Sequence, residues 1–144
     1  TAGEWKLAGF EYSAQEASEV KLFSPHYVNT PLLFPSLEFA APEYVTQSHP
    51  TSASDIWSLG VLLYRFFSLA HGQPAPPLLS CRSPADYLQC LQPALSAISF
   101  PVDFPQDISE TVLRLLTIAA PGRPTIAQLL ETSPMCCGKE IRAL

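Results

Sequence analysis

Charge is scarce in this chain. Of its 144 residues only 8 are Lys or Arg and 13 are Asp or Glu, giving a net charge of -5 and a pI near 5.0. A polymer so poor in cations cannot neutralise a row of phosphates, which excludes non-specific binding to nucleic acid or to an acidic lipid surface. Histidine and cysteine are also few, at 3 and 4 residues. Cys81, Cys90, Cys136 and Cys137 have no zinc spacing, and His26, His49 and His71 stand apart from any carboxylate or thiol. The thiols read as reduced, incidental cysteines of a cytosolic protein, the adjacent Cys136-Cys137 pair being the place where a redox role would sit. Long hydrophobic runs are absent too. The longest, Ile56 to Ala70, is interrupted by Arg65 and is too short to cross a bilayer comfortably. Nothing resembles a signal peptide and no initiator methionine opens the chain, so the expectation is a soluble, cytoplasmic part of something longer.

Apolar residues and proline are abundant. Hydrophobic side chains make up 47% of the chain, enough for one packed domain. The 15 prolines are about twice the usual share and predict long connecting loops. Residues 4–12 alternate loosely and predict a strand. Residues 13–38 follow no period and carry Ser24-Pro25, Thr30-Pro31 and Phe34-Pro35, the composition of a long loop lying on a core.

Helical patterning then takes over. Ala41-Pro42-Glu43 places a proline at the start of a short helix and a carboxylate in its first turn. The stretch TSASDIWSLGVLLYRFFSLAHG predicts the principal helix, capped by Ser52 or a neighbour with Asp55 three residues on, and stopped at His71-Gly72. Ile56, Trp57, Leu59, Val61, Leu62, Leu63, Tyr64, Phe66, Phe67 and Leu69 leave this helix without a polar face, which predicts a central post enclosed by other helices. Further helices are expected near Ala85–Leu95 and from Ser109, the latter with Val112, Leu113, Leu115, Leu116 and Ile118 facing the core. A last helix, capped by Thr125, carries Ile126, Leu129 and Leu130.

Three of these segments together resemble the C-terminal lobe of the protein kinase fold. LEFAAPEYV is similar to the end of an activation segment with its Ala-Pro-Glu motif, SDIWSLGVLLY to the buried helix that follows, and PGRPTIAQLL to the late arginine segment. The resemblance implies a mainly α, incomplete kinase-like lobe: a short strand, a long activation segment, then four to five helices. It sets residues 1–132 as a partial kinase-like domain and 133–144 as a tail. It further implies that Glu43 and Arg123 form a buried ion pair and that Asp55 accepts hydrogen bonds from backbone amides of the catalytic loop. Trp57 and Phe10 are then core residues. Asp55 has a plainer role as well, a carboxylate favoured at a helix N-terminus.

The same alignment puts Lys6-Leu7-Ala8-Gly9-Phe10-Glu11 at the Asp-Phe-Gly position of active kinases, with Gly9 in place of the aspartate that holds magnesium against ATP phosphates. Magnesium requires oxygen ligands and glycine offers no side chain. Glu11 is offset by two residues, several ångströms along an extended backbone. Pro35-Ser36 replace the Gly-Thr usual before Ala-Pro-Glu, and Lys6 is an ordinary strand residue. No catalytic, cofactor-binding or metal-binding residue is therefore assigned within this chain.

The finer pattern, a Trp-Lys strand entering a degenerate loop and then PSLEFAAPEYV and IAAPGRPTIAQLLETSPM, resembles the Scy-like pseudokinase family. That resemblance implies an adaptor in vesicle traffic, with clathrin-coat and Golgi transport components as protein partners and a peripheral endomembrane position. The alternative is the downstream half of an active ATP-dependent serine/threonine kinase with an atypical metal motif. In both cases the phosphate loop, nucleotide lysine and His-Arg-Asp loop belong before Trp5, and ATP is a ligand only of a longer protein. A helix lying before Trp5 would normally cover part of the principal helix, and without it an apolar patch is expected to be exposed. Four Ser/Thr-Pro pairs (Ser24-Pro25, Thr30-Pro31, Ser83-Pro84 and Ser133-Pro134) are candidate sites for proline-directed phosphorylation.

Overall fold

A computed structural model describes residue 6 and residues 36–47, 51–70, 78–81 and 83–132. Lys6, read as a strand residue, is exposed and lies in no strand, with no strand among the described residues for it to pair with. The rest of the expected strand, with Gly9, Phe10 and Glu11, lies outside the described residues, as do the tail from residue 133 and the helix stop at His71-Gly72. Among the described residues the architecture is helical: α1 (Pro42–Gln47), α2 (Ser52–Ala70), α3 (Pro84–Ser96), α4 (Gln106–Leu115), a 3₁₀ turn (Ala120–Gly122) and α5 (Ile126–Thr132).

Of the cap candidates, Ser52 or a neighbour, the principal helix α2 uses the neighbour. Thr51, not Ser52, precedes the first turn, and its partner is Ser54, not Asp55. The Ser54 Oγ accepts from the Thr51 N–H at 3.1 Å and lies 3.3 Å from the Thr51 hydroxyl. Ser54 is buried and Asp55 exposed, so the register follows the hydroxyl that faces the protein. Downstream, Ile56, Trp57, Gly60, Val61, Tyr64 and Phe67 form the buried face. The opposite face is not enclosed: Leu62, Phe66 and Leu69 are 55%, 54% and 61% exposed.

Helix α4 crosses α2 at Gly60. A β-carbon at Gly60 would stand 2.8 Å from the Leu115 Cβ and 3.0 Å from the Leu116 Cδ2, so the absence of a side chain there sets how closely the two helices approach. α4 begins at Gln106, three residues before the expected Ser109. Pro105 stands at its cap position, and the early turn carries Ile108 into a cluster with Phe67 and Phe104. Val112, Leu115 and Leu116 are buried, whereas Leu113 lies on the outer side.

Helix α3 opens on Ser83, whose hydroxyl accepts from the Asp86 N–H, with Pro84 in the first turn. It buries Tyr87 and Leu91. Thr125 and Gln128 cap α5 reciprocally: the Thr125 N–H donates to Gln128 Oε1 at 2.8 Å, and the Gln128 N–H to Thr125 Oγ1 at 3.2 Å. Only Leu129 of α5 is buried, while Ile126 and Leu130 face outward. The main core gathers Trp57, Val61 and Tyr64 of α2 with Tyr87 and Leu91 of α3, Val112 and Leu116, and Ala40, Ala41, Tyr44 and Val45 around α1.

Candidate functional site

Residues far apart in the chain meet beneath α1. Arg123 follows the 3₁₀ turn with an extended backbone, and its side chain is wholly buried beside Glu43, which is 13% exposed. Every donor of the guanidinium has an acceptor. Nη1 donates to Glu43 Oε1 at 2.7 Å and to the Ala53 carbonyl at 2.7 Å. Nη2 donates to Glu43 Oε2 at 2.8 Å and to the Ile118 carbonyl at 3.0 Å. Nε donates to the Thr117 carbonyl at 2.7 Å. The group also lies 5.0 Å over the Trp57 ring.

A buried ion pair survives its desolvation only with such complete bonding. Glu43 also accepts from the Ser54 hydroxyl at 2.8 Å, so the residue that caps α2 also braces the carboxylate. Burial pushes the Glu43 carboxyl upward, but hydrogen bonds from Arg123, its own backbone and Ser54, with the Arg123 charge, outweigh it and hold the pKa below the ordinary range. The group is ionised near neutrality and has no proton to exchange.

The turn leading into α1 is fastened at three successive residues. Glu38 accepts from Arg65 Nη1 at 3.1 Å and from the Leu78 N–H at 3.3 Å. The Ser58 hydroxyl donates to the Phe39 carbonyl at 2.8 Å. The Tyr87 hydroxyl donates to the Ala40 carbonyl. Burial, followed by the nearby Cys81 and Glu43, pushes the Tyr87 hydroxyl pKa well up, so it stays a donor.

The remaining candidates fall elsewhere. Asp55 is exposed in the first turn of α2, no donor among the described residues is bonded to it, and desolvation raises its pKa. Trp57 is completely buried, and its indole N–H has no hydrogen-bond partner among the described residues. Gly9 and Phe10 lie outside the described residues. Sequence reasoning missed Ser54, Glu38 and Tyr87, and the carbonyls of Ala53, Thr117 and Ile118. The only available signal was Ser54 three residues after Thr51. Carbonyl acceptors leave no mark in residue identity.

A short helix bearing Glu43, a buried helix with Asp55 and Trp57 at its start, and a late arginine closing on that glutamate define the helical lobe of a protein kinase. The comparisons agree: a family model for protein tyrosine and serine/threonine kinase matches residues 23–132, more than half of the chain, and the chain belongs to that family.

Within it the chain is similar to SCY1-like protein 2 of Homo sapiens, 27% identical over 142 residues, covering 90% of this chain and 14% of the relative. It is similar as well to the protein kinase domain-containing protein ppk32 of Schizosaccharomyces pombe, 26% identical over 148 residues, covering 99% of this chain and 19% of the relative. A third relative is serine/threonine-protein kinase PDK1 of Cryptococcus neoformans, 29% identical over 99 residues, 69% of this chain and 7% of that protein. The chain spans less than a fifth of the length of each.

Proposed function

We propose that this chain is part of a non-catalytic, kinase-shaped binding module, with residues 1–132 in the module and 133–144 as a tail, acting as a scaffold or adaptor in vesicle traffic. Gly9 carries this reading. It stands where an active kinase has the carboxylate that holds magnesium, and a hydrogen atom cannot ligate a cation. The likeness to SCY1-like protein 2 supports the same reading. The fastening of Glu38, Phe39 and Ala40 to Arg65, Ser58 and Tyr87 accords with a structural role for the turn into α1. The Scy-like resemblance supplies the partners, clathrin-coat and Golgi transport proteins, and a cytoplasmic location peripheral to endomembranes. Among the described residues no helix is long and apolar enough to cross a membrane.

A second reading, an active serine/threonine kinase with an atypical metal motif, draws on the similarity to PDK1 and on Asp55 and the Glu43–Arg123 tie, which active kinases also use. Glu11 or a residue before Thr1 would then hold the metal. Thermal unfolding of the full-length protein with ATP, with and without magnesium, separates the two. A ligand at a hundredfold its Kd stabilises by about 2.7 kcal/mol. The scaffold reading expects no magnesium-dependent rise in Tm, and a clear rise overturns it.

A further inference from the structure

We propose that Ser83 is a phosphorylation site for a proline-directed protein kinase, and that phosphate there loosens the first turn of α3. Of the four Ser/Thr-Pro pairs in the sequence, Ser83-Pro84 is the one within the described residues. Its setting suits the reaction. Ser83 has an extended backbone with φ -143° and ψ 156°, is only half-buried, and is followed by three exposed residues, Pro84, Ala85 and Asp86. A modifying kinase therefore meets the hydroxyl from solvent at the end of the helix. In the transfer the Ser83 oxygen bonds to the γ-phosphorus of ATP as the bond to the bridging β,γ-oxygen breaks. ADP leaves with that electron pair, and the hydroxyl proton passes to the carboxylate base of the modifying enzyme.

The consequence follows from the cap. The Ser83 Oγ now donates its proton to Asp86 Oδ2 at 2.7 Å and accepts from the Asp86 N–H at 3.3 Å. Phosphorylation removes the donor and places a group of about -1.5 to -2 charge within reach of the Asp86 carboxylate. The positive end of the helix favours an anion, but a facing carboxylate at contact distance opposes it more strongly than the partial charges attract. Tyr87 is the next residue, and its hydroxyl holds the Ala40 carbonyl two residues before Pro42. Loosening the α3 cap thus bears on the seat of α1. This inference does not depend on whether the lobe binds nucleotide.

The test uses the full-length protein, incubated with a proline-directed kinase and ATP beside a Ser-Pro peptide as control, and mapped by tandem mass spectrometry. Phosphate on Ser83, lost in Pro84→Ala and kept in Asp86→Asn, is the expected result. Amide exchange over residues 85–88 should quicken about threefold or more on phosphorylation, and Asp86→Asn should blunt that response. An unmodified Ser83 beside a modified control peptide overturns the proposal, as does modification that survives Pro84→Ala. Slower exchange in the phosphorylated protein overturns the loosening.

Discussion

The guanidinium of Arg123 lies over the Trp57 ring at 5.0 Å while its two terminal nitrogens hold both oxygens of Glu43 at 2.7 and 2.8 Å. A flat, five-donor cation is the one side chain able to stack and fork at once. Arg123→Lys keeps the charge but loses the plane, the second carboxylate bond and most of the carbonyl contacts. Arg123→Ala leaves Glu43 buried without its partner, a change expected to cost about 3–5 kcal/mol. Urea unfolding of the full-length protein should rank wild type above Lys and Lys above Ala. A Lys variant as stable as wild type would show the geometry to be dispensable.

Ser54 connects the cap of α2 to the same carboxylate, so Ser54→Ala should remove a bond at each end. The expected loss is about 1–2 kcal/mol, the size of a missing cap or of a buried hydrogen bond. Asp55→Ala in the neighbouring position, exposed and unbonded among the described residues, should cost less. Equal losses would mean that helix-end charge outweighs the hydroxyl network.

Acid should weaken the lobe through Glu43. Its folded pKa is depressed below the ordinary 4.5, so its contribution is complete above the unfolded value and disappears as pH falls through the folded one. At the alkaline end Tyr44 acts in reverse. Burial pushes its hydroxyl up from 10.0 to about 12, so its contribution holds below pH 10 and declines as pH climbs toward 12. Denaturant midpoints across pH should fall on both flanks, and Tyr44→Phe should flatten the alkaline one.

Gly60→Ala tests the crossing of α2 and α4. The nearest obstacle, the Leu115 Cβ at 2.8 Å, is fixed to backbone and cannot swing aside. Better helix propensity would favour alanine by about 1 kcal/mol, yet overpacking typically costs about 1–3 kcal/mol, so a net loss is expected. A thermal scan showing stabilisation would mean that the helices part easily.

The outer stripe of α2 predicts behaviour at high concentration. Leu62, Phe66 and Leu69 stand one turn apart and more than half exposed, an apolar surface prone to association. Phe66→Gln should change the unfolding midpoint little and lower light scattering. An unchanged scattering profile would place the sticky surface elsewhere.

The legible parts of this molecule were those carried by residue type. Pro42 with Glu43, the apolar run of α2, and the Thr125 cap announce helices and their starts. Glu43 and Arg123 were paired through the kinase resemblance, since nothing local in either residue reveals the other. What stayed hidden depends on backbone or on which side of a residue faces protein. The start of α4 was set too late because Pro105 and Asp107 look like loop, while Ile108 is drawn in by Phe67 and Phe104. Leu113 was expected in the core-facing stripe yet lies on the outer side, because residue type alone does not settle which of several adjacent apolar positions the neighbouring helix covers. The cap of α2 was left between Ser52 and its neighbours because Ser52 and Asp55 offer the same spacing as Thr51 and Ser54, and only burial distinguishes them.

The Glu43–Arg123 contact joins residues 80 apart in the chain. A loop of that length must close before the contact yields anything, so the tie belongs to a late step of folding. During synthesis α1 and α2 leave the ribosome well ahead of the arginine, with Glu43 charged and waiting. The nascent helices therefore stay open to chaperones until the guanidinium arrives, and a transcript cut short of Arg123 should yield a polypeptide marked for degradation.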